Sequence, residues 1–282
     1  MRVPALLFGI ASSLLAVAVP CVAATQAPNS VVVPNFFDLQ HRVDKPDLSE
    51  LHSLRFLTED DYPPFHFALP DGTLAGFDVD LARAICEELK IACTIQARRF
   101  DLLADALNSG DGDALIASLR IDAQNRAKFD FTAPYYATPA RFVVLATSKL
   151  QATPVGLAGK RVGVIAKTAH EAYLENFFPK TVRQSYGTRE MLYAALKSGK
   201  IDALFDDAIT SSFWLAGSDA KKCCVFRGGP FTESRFFGEG VGIAVKKGNY
   251  TLRQALDYAL VQLVRRGVYT DLYLKYFPVG FY

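Results

Sequence analysis

The chain has 282 residues, with hydrophobic residues at 50% and charged residues at 21%, a balance that builds a buried core and excludes wholesale disorder. Lys and Arg number 31 against 29 Asp and Glu, a formal net charge of +2, and no basic run offers a phosphate footprint. No nucleic-acid partner is expected, and the length allows two compact domains.

In chain order, Arg2, an apolar stretch from Val3 to Val19, Pro20 and the small-residue ending Val22-Ala23-Ala24 read as a secretory signal peptide, residues 1–24, cleaved after Ala24. Pro20 and the Val-x-Ala ending argue against an uncleaved anchor, and Pro20 just before Cys21 argues against a lipobox. Export places the mature chain where disulfides persist. Residues 25–53, with Pro28, Pro34 and Pro46, read as an irregular N-terminal extension packed on the first of the two domains.

Leu54 to Thr58 reads as an extended segment, Asp78 as the cap of a helix carrying Leu81, Ile85 and Leu89 on one face, and Ile91 to Ile95 as the next strand. A bridge between Cys86 and Cys93 would tie that helix to its strand, buried free thiols being the alternative. Arg141 to Ala146 reads as a strand joining two lobes, Val162 to Ile165 as the start of the second, and Gly240 to Val245 as the return. Cys223 and Cys224 are adjacent and not expected to meet ordinary disulfide geometry. Thr251 opens a long helix with Leu252, Leu256, Leu260 and Leu263, ending at Arg265-Arg266-Gly267.

An internal repeat organises these elements. Residues 106–115 read Ala-Leu-Asn-Ser-Gly-Asp-Gly-Asp-Ala-Leu, and residues 195–204 read Ala-Leu-Lys-Ser-Gly-Lys-Ile-Asp-Ala-Leu. Each copy ends an amphipathic helix, with Leu102, Leu103, Ala106 and Leu107 in one and Met191, Leu192, Ala195 and Leu196 in the other. Gly110 and Gly199 fit the left-handed position after a helix, and a short apolar strand follows each. The repeat implies two related α/β lobes, and ligands of open α/β sheets bind beyond the carboxyl ends of the strands. Ser118 in one copy and Asp207 in the other lie at those ends, so each faces a cleft.

Several motifs resemble the periplasmic solute-binding proteins of polar amino-acid uptake systems, family 3. They are Thr58-Glu59-Asp60-Asp61-Tyr62-Pro63-Pro64-Phe65, Gly76-Phe77-Asp78-Val79-Asp80-Leu81-Ala82, Phe129-Asp130-Phe131-Thr132-Ala133-Pro134-Tyr135-Tyr136 and Gly159-Lys160-Arg161-Val162-Gly163-Val164, with the segment from Gly199 to Asp207. The resemblance runs from Leu54 to Phe277 and implies a two-lobed α/β Venus-flytrap fold of type II with two hinge strands. Lobe 1 would be 54–140 with 241–282, and lobe 2 would be 141–240. It also implies a disulfide between Cys86 and Cys93, a monomer in the periplasm, and delivery of a captured amino acid or small carboxylate to an ABC transporter permease.

The chemistry of such a site singles out several residues. A free α-carboxylate needs paired, charge-assisted donors, which a guanidinium offers in a planar fork. Arg126 resembles the family's carboxylate-binding arginine, although its spacing from Ile121 is one residue longer. Thr168-Ala169-His170-Glu171 has the form of a capping box, whose free backbone N–H groups attract a carboxylate; a plain helix cap is the alternative. Asp207 is expected to take the α-ammonium, and Tyr62 and Phe65 to cover the ligand. Glu59 would favour a basic ligand and Arg120 an acidic one, or the two would pair with each other.

No cofactor and no metal are expected. There is no Gly-x-Ser-x-Gly, His-Glu-x-x-His or Walker loop, and His41, His52, His66 and His170 are scattered. Binding without catalysis is therefore expected, the rivals being a periplasmic enzyme on the same fold, similar to cyclohexadienyl dehydratases with Glu59 or Asp60 as acid, and a sensory module.

Overall fold

The computed structural model describes residues 31–40, 45–49, 51–277 and 280–282. The expected signal peptide lies outside them. From the first strand, β1 (Ser53–Thr58), the chain forms a small antiparallel sheet of β2 (Asp61–Tyr62), β3 (His66–Ala68) and β4 (Leu74–Ala75). It continues through α1 (Phe77–Leu89), β5 (Ala92–Ala97), a 3-10 turn at Phe100–Leu102, α2 (Leu103–Ser109), β6 (Ala114–Leu115), α3 (Ala123–Lys128) and β7 (Phe129–Phe131). The second lobe comprises β8 (Ala140–Leu145), β9 (Arg161–Ile165), α4 (Ala169–Phe177), β10 (Val182–Tyr186), α5 (Arg189–Lys197), β11 (Ala203–Asp207), α6 (Ala208–Ala216), β12 (Cys224–Phe231) and α7 (Ser234–Phe237). The return is β13 (Ala244–Lys246), followed by α8 (Tyr250–Arg265) and α9 (Val268–Tyr276).

The repeat extends to the sheets. Their orders are β5-β1-β6-β13-β7 and β10-β9-β11-β8-β12, so the second-lobe strands stand in matching places. In each sheet the fourth strand is antiparallel to the third and arrives directly from the other lobe: β8 beside β11, and β13 beside β6. The crossings themselves lie just before these strands, where Val241 pairs with both Arg120 and Tyr136. A two-lobed fold with two crossings is thus present, while β8 itself belongs to the second sheet.

A matching clasp fixes the edge of each copy. Asp113 accepts from the backbone N–H of Arg55 at 2.8 Å and from its guanidinium at 2.7 and 3.1 Å. Asp202, at the same place in the other copy, accepts from Arg161 N–H at 2.8 Å and from its guanidinium at 2.7 and 3.2 Å. Each aspartate thereby joins the turn after its helix to the first residues of the neighbouring strand. Gly110 and Gly199 have φ of 83° and 71°, the left-handed conformation that reverses the chain between helix and turn.

The lobe 1 core packs Phe56, Phe77, Ile85, Leu256 and Leu260 between sheet and helices, and Phe37 from the extension is buried against it. Cys86 and Cys93 are bonded, tying α1 to β5.

Four local expectations need correction. Gly76 rather than Asp78 stands at the cap of α1, and Asp78 is a buried first-turn residue. Asn249 caps α8, accepting from Leu252 N–H at 3.2 Å, because its carboxamide reaches the third residue on and starts the helix before Thr251. Met191 and Leu102 are exposed, because the apolar faces of the two repeat helices are narrower than their spacing suggested. Cys223 and Cys224 are bonded to each other with their Cα atoms 3.7 Å apart, closing the ring between adjacent residues.

Candidate functional site

Between the two sheets lies a cleft of about 700 Å³, lined on one side by Tyr62, Ser118, Arg120 and Asn125 and on the other by His170, Arg189, Asp207 and Thr210. Both repeat-end residues, Ser118 and Asp207, therefore open on it.

Ser118 follows β6 with φ 54° and donates from its hydroxyl to Asp78 Oδ2 at 2.9 Å. Asp78 also accepts from the Tyr135 hydroxyl at 2.9 Å and meets His66 Nδ1 at 3.0 Å. A carboxylate buried without water needs such partners, and with its proton committed to Asp78, Ser118 turns oxygen lone pairs toward the cleft. His66 Nε2 has no hydrogen-bond partner among the described residues, the nearest carboxylate oxygen being that of Glu59 at 3.9 Å. Burial and the neighbouring Asp61 raise the Glu59 carboxyl above its ordinary value. Glu59 stands beside His66 and does not line the cleft.

Tyr62 is half exposed and stacks on Phe65 with ring centroids 5.4 Å apart. Phe65 is itself buried against Tyr136 at 4.8 Å and borders a smaller pocket beside the cleft, so Tyr62 presents the open ring and Phe65 supports it.

The two arginines from the sequence part company. Arg120 lines the cleft, and its guanidinium has no ion pair among the described residues. Its stem lies over Gly238, where a Cβ would come within 2.7 Å of Arg120 Cδ. Arg126 is half exposed on α3, forms an ion pair with Glu239 and does not line the cleft. Successive helix residues are about 100° apart, so the one-residue displacement brings Gln124, Asn125 and Lys128 to the cleft and turns Arg126 away from it.

In lobe 2 the Thr168 hydroxyl accepts from Glu171 N–H at 3.3 Å and donates to Ile165 C=O at 2.7 Å, while Glu171 accepts from Lys167 N–H at 2.7 Å. That is a helix cap with its side chains engaged, and neither Thr168 nor Ala169 lines the cleft. The next residue, His170, does; burial lowers its pKa, so it is neutral near pH 7.

Asp207 caps α6 through one oxygen, Oδ1, which accepts from Thr210 N–H at 2.7 Å and from the Thr210 hydroxyl at 2.8 Å. Burial pushes this carboxyl up, against the pull of the Thr210 hydrogen bonds. Oδ2 makes no hydrogen bond among the described residues.

Arg189 was not among the residues the sequence singled out. Asp206, 1% exposed, accepts from Arg189 Nε at 2.8 Å and Nη2 at 3.3 Å and so holds the guanidinium at the cleft wall. The available signal is its position as first residue of α5 after the Thr188 cap, where a cation opposes the helix dipole by about 0.3–1 kcal/mol.

Residues 54–279 match the family described as bacterial extracellular solute-binding proteins, family 3. The chain is 36% identical over 223 residues to the L-arginine-binding protein of Pseudomonas aeruginosa, covering 78% of this chain and 86% of that one. It is 33% identical over 231 residues to the histidine-binding periplasmic protein of Salmonella typhimurium, covering 81% and 89%. The second substrate-binding domain of Lactococcus lactis GlnP, in its open conformation, shares the fold with a TM-score of 0.69 at 24% identity, covering 81% of this chain and 97% of that one.

Proposed function

The chain belongs to the bacterial extracellular solute-binding proteins, family 3, and from that premise we propose that it captures a free polar amino acid between its lobes and delivers it to the permease of an ABC transporter. The observation that carries this reading is the opposition of Arg120 and Asp207 across one cleft. A zwitterion leaving water needs a cation for its carboxylate and an anion for its ammonium. Arg120 offers free guanidinium donors beside Ser118, and Asp207 offers the oxygen that its helix does not use. Tyr62 provides the aromatic wall.

Relatives named as arginine- and histidine-binding proteins support an amino-acid ligand. Binding without conversion fits this cleft, because neither Glu59 nor Asp60, the acids a dehydratase would draw on, lines it. The extracellular family supports a location outside the cytoplasm; in this reading residues 1–24 serve as the export leader and the mature chain acts as a monomer.

A thermal-shift screen of the exported protein against the twenty L-amino acids tests the reading. Ligand at 100 times its dissociation constant adds about 2.7 kcal/mol to stability. One or a few strong shifts are expected, and no shift with any amino acid overturns the proposal.

A further inference from the structure

We propose that the cleft selects an acidic amino acid over its neutral amide and over cationic amino acids. The inference rests on the amino-acid reading above and narrows it to one charge class.

The charges around the cavity decide the matter. Arg120, Lys128 and Arg189 line it, against Asp207 and the Asp206 that stands behind Arg189. The remaining lining acid, Asp101, is already answered by Arg99 at 2.8 and 3.1 Å. His170 adds no charge near pH 7. Behind Ser118, Asp78 is held by His66, Tyr135 and the Ser118 hydroxyl, so on the cleft wall itself Arg120, Lys128 and Arg189 face Asp207 and the paired Asp101, an excess of cations that complements an acidic amino acid and opposes a basic one.

The geometry gives each ligand group a place. Arg120, beside Ser118 on lobe 1, takes the α-carboxylate, and the free Asp207 oxygen takes the α-ammonium. Arg189 is then left over. A guanidinium has five N–H donors, and Asp206 occupies two of those on Arg189, fixing the plane of the fork and leaving three for a second carboxylate. An amide in that position would meet the same donors with its oxygen only, and its own N–H₂ would face them unpaired. A side-chain ammonium or guanidinium would meet only N–H donors there and find no acceptor. Glu59, the acid that would have received such a cation, does not line the cleft. A dicarboxylate with no ammonium would leave Asp207 unanswered.

Calorimetry of the exported protein with L-glutamate, L-aspartate, L-glutamine, L-asparagine, L-arginine and L-lysine tests the inference. One of the two acids is expected to bind at least 100-fold more tightly than its amide and than either cation. Arg189→Gln should reduce the acid-to-amide ratio at least tenfold. Because it leaves buried Asp206 unpaired, the double variant Arg189→Gln/Asp206→Asn is measured beside it and should reduce the ratio equally. Arginine, lysine or an amide binding more tightly than both acids overturns the inference while the amino-acid reading stands. An unchanged ratio in the double variant overturns it as well. Failure of every amino acid to bind removes the underlying reading too.

Discussion

Asp207 has two tasks to divide between its oxygens: Oδ1 holds the start of α6 through Thr210, and Oδ2 is the one the proposal gives to the ligand. Asp207→Asn tests this division, since asparagine caps a helix as well as aspartate does but carries no charge for an ammonium. The expected result is a loss of about 2–5 kcal/mol in ligand affinity by calorimetry, with the melting temperature of the ligand-free protein nearly unchanged. A variant that binds within threefold of wild type would remove Asp207 from the site. The place of Asp207 at the cleft is legible in the sequence because it ends a repeated segment. Asp78 was misread as a cap because its partners His66, Ser118 and Tyr135 are 12, 40 and 57 residues away, and no local pattern records them. Arg126 was misplaced by the rotation of a single helix residue, and Arg189 was missed because its anchor Asp206 lies 17 residues on.

Elements carry a second kind of information, in how their polar ends are tied together. The repeat predicted helix, glycine and strand in both lobes, but not the Arg55–Asp113 and Arg161–Asp202 clasps, because each joins a repeat copy to a strand outside it. α8 has its own tie: Asp257 accepts from Ala133 N–H at 2.7 Å, and burial raises its carboxyl from 3.8 to about 6. The protonated acid is therefore the form the folded state prefers. As pH rises, the unfolded chain ionises first, near 3.8, and the folded chain follows near 6, so stability falls across that window and levels off above it. A two-unit rise corresponds to about 3 kcal/mol. Asp257→Asn keeps the acceptor for Ala133 and removes the ionisation. In urea unfolding it should gain about 1–3 kcal/mol over wild type at pH 7.5 and little at pH 4. An equal difference at both pH values would show that Asp257 ionises as it does in the unfolded chain.

At the scale of the molecule, each lobe completes its sheet with a strand delivered from the other, so the crossings are anchored at both ends while the segments between them remain short. Val241 N–H donates to Tyr136 C=O at 2.8 Å and Tyr135 N–H donates to Val241 C=O at 2.9 Å, so the crossings run side by side. The C-terminal residues lie against the same place, with the Tyr282 hydroxyl donating to Ala137 C=O at 2.8 Å and Arg141 donating to Phe281 C=O at 3.3 Å. Rotation concentrated in such paired segments would carry one lobe over the other, with Ala208, Ile209 and Phe213 of α6, which pack on the lobe 1 core, moving against it. The groups assigned to the ligand stand on opposite sides: Arg120 on lobe 1, Asp207 and Arg189 on lobe 2. A ligand held by both binds a closed arrangement better than an open one, and the difference in affinity between the two states sets how far it shifts the population. In the proposed function, closure is what a permease would distinguish from the empty protein. Small-angle scattering with and without the amino acid that binds should show a smaller radius of gyration in its presence. Asp207→Asn, which removes one of the two lobes' holds on the ligand, should need more ligand to reach the same decrease. A radius that stays constant at saturation would mean that the lobes receive the solute without closing on it.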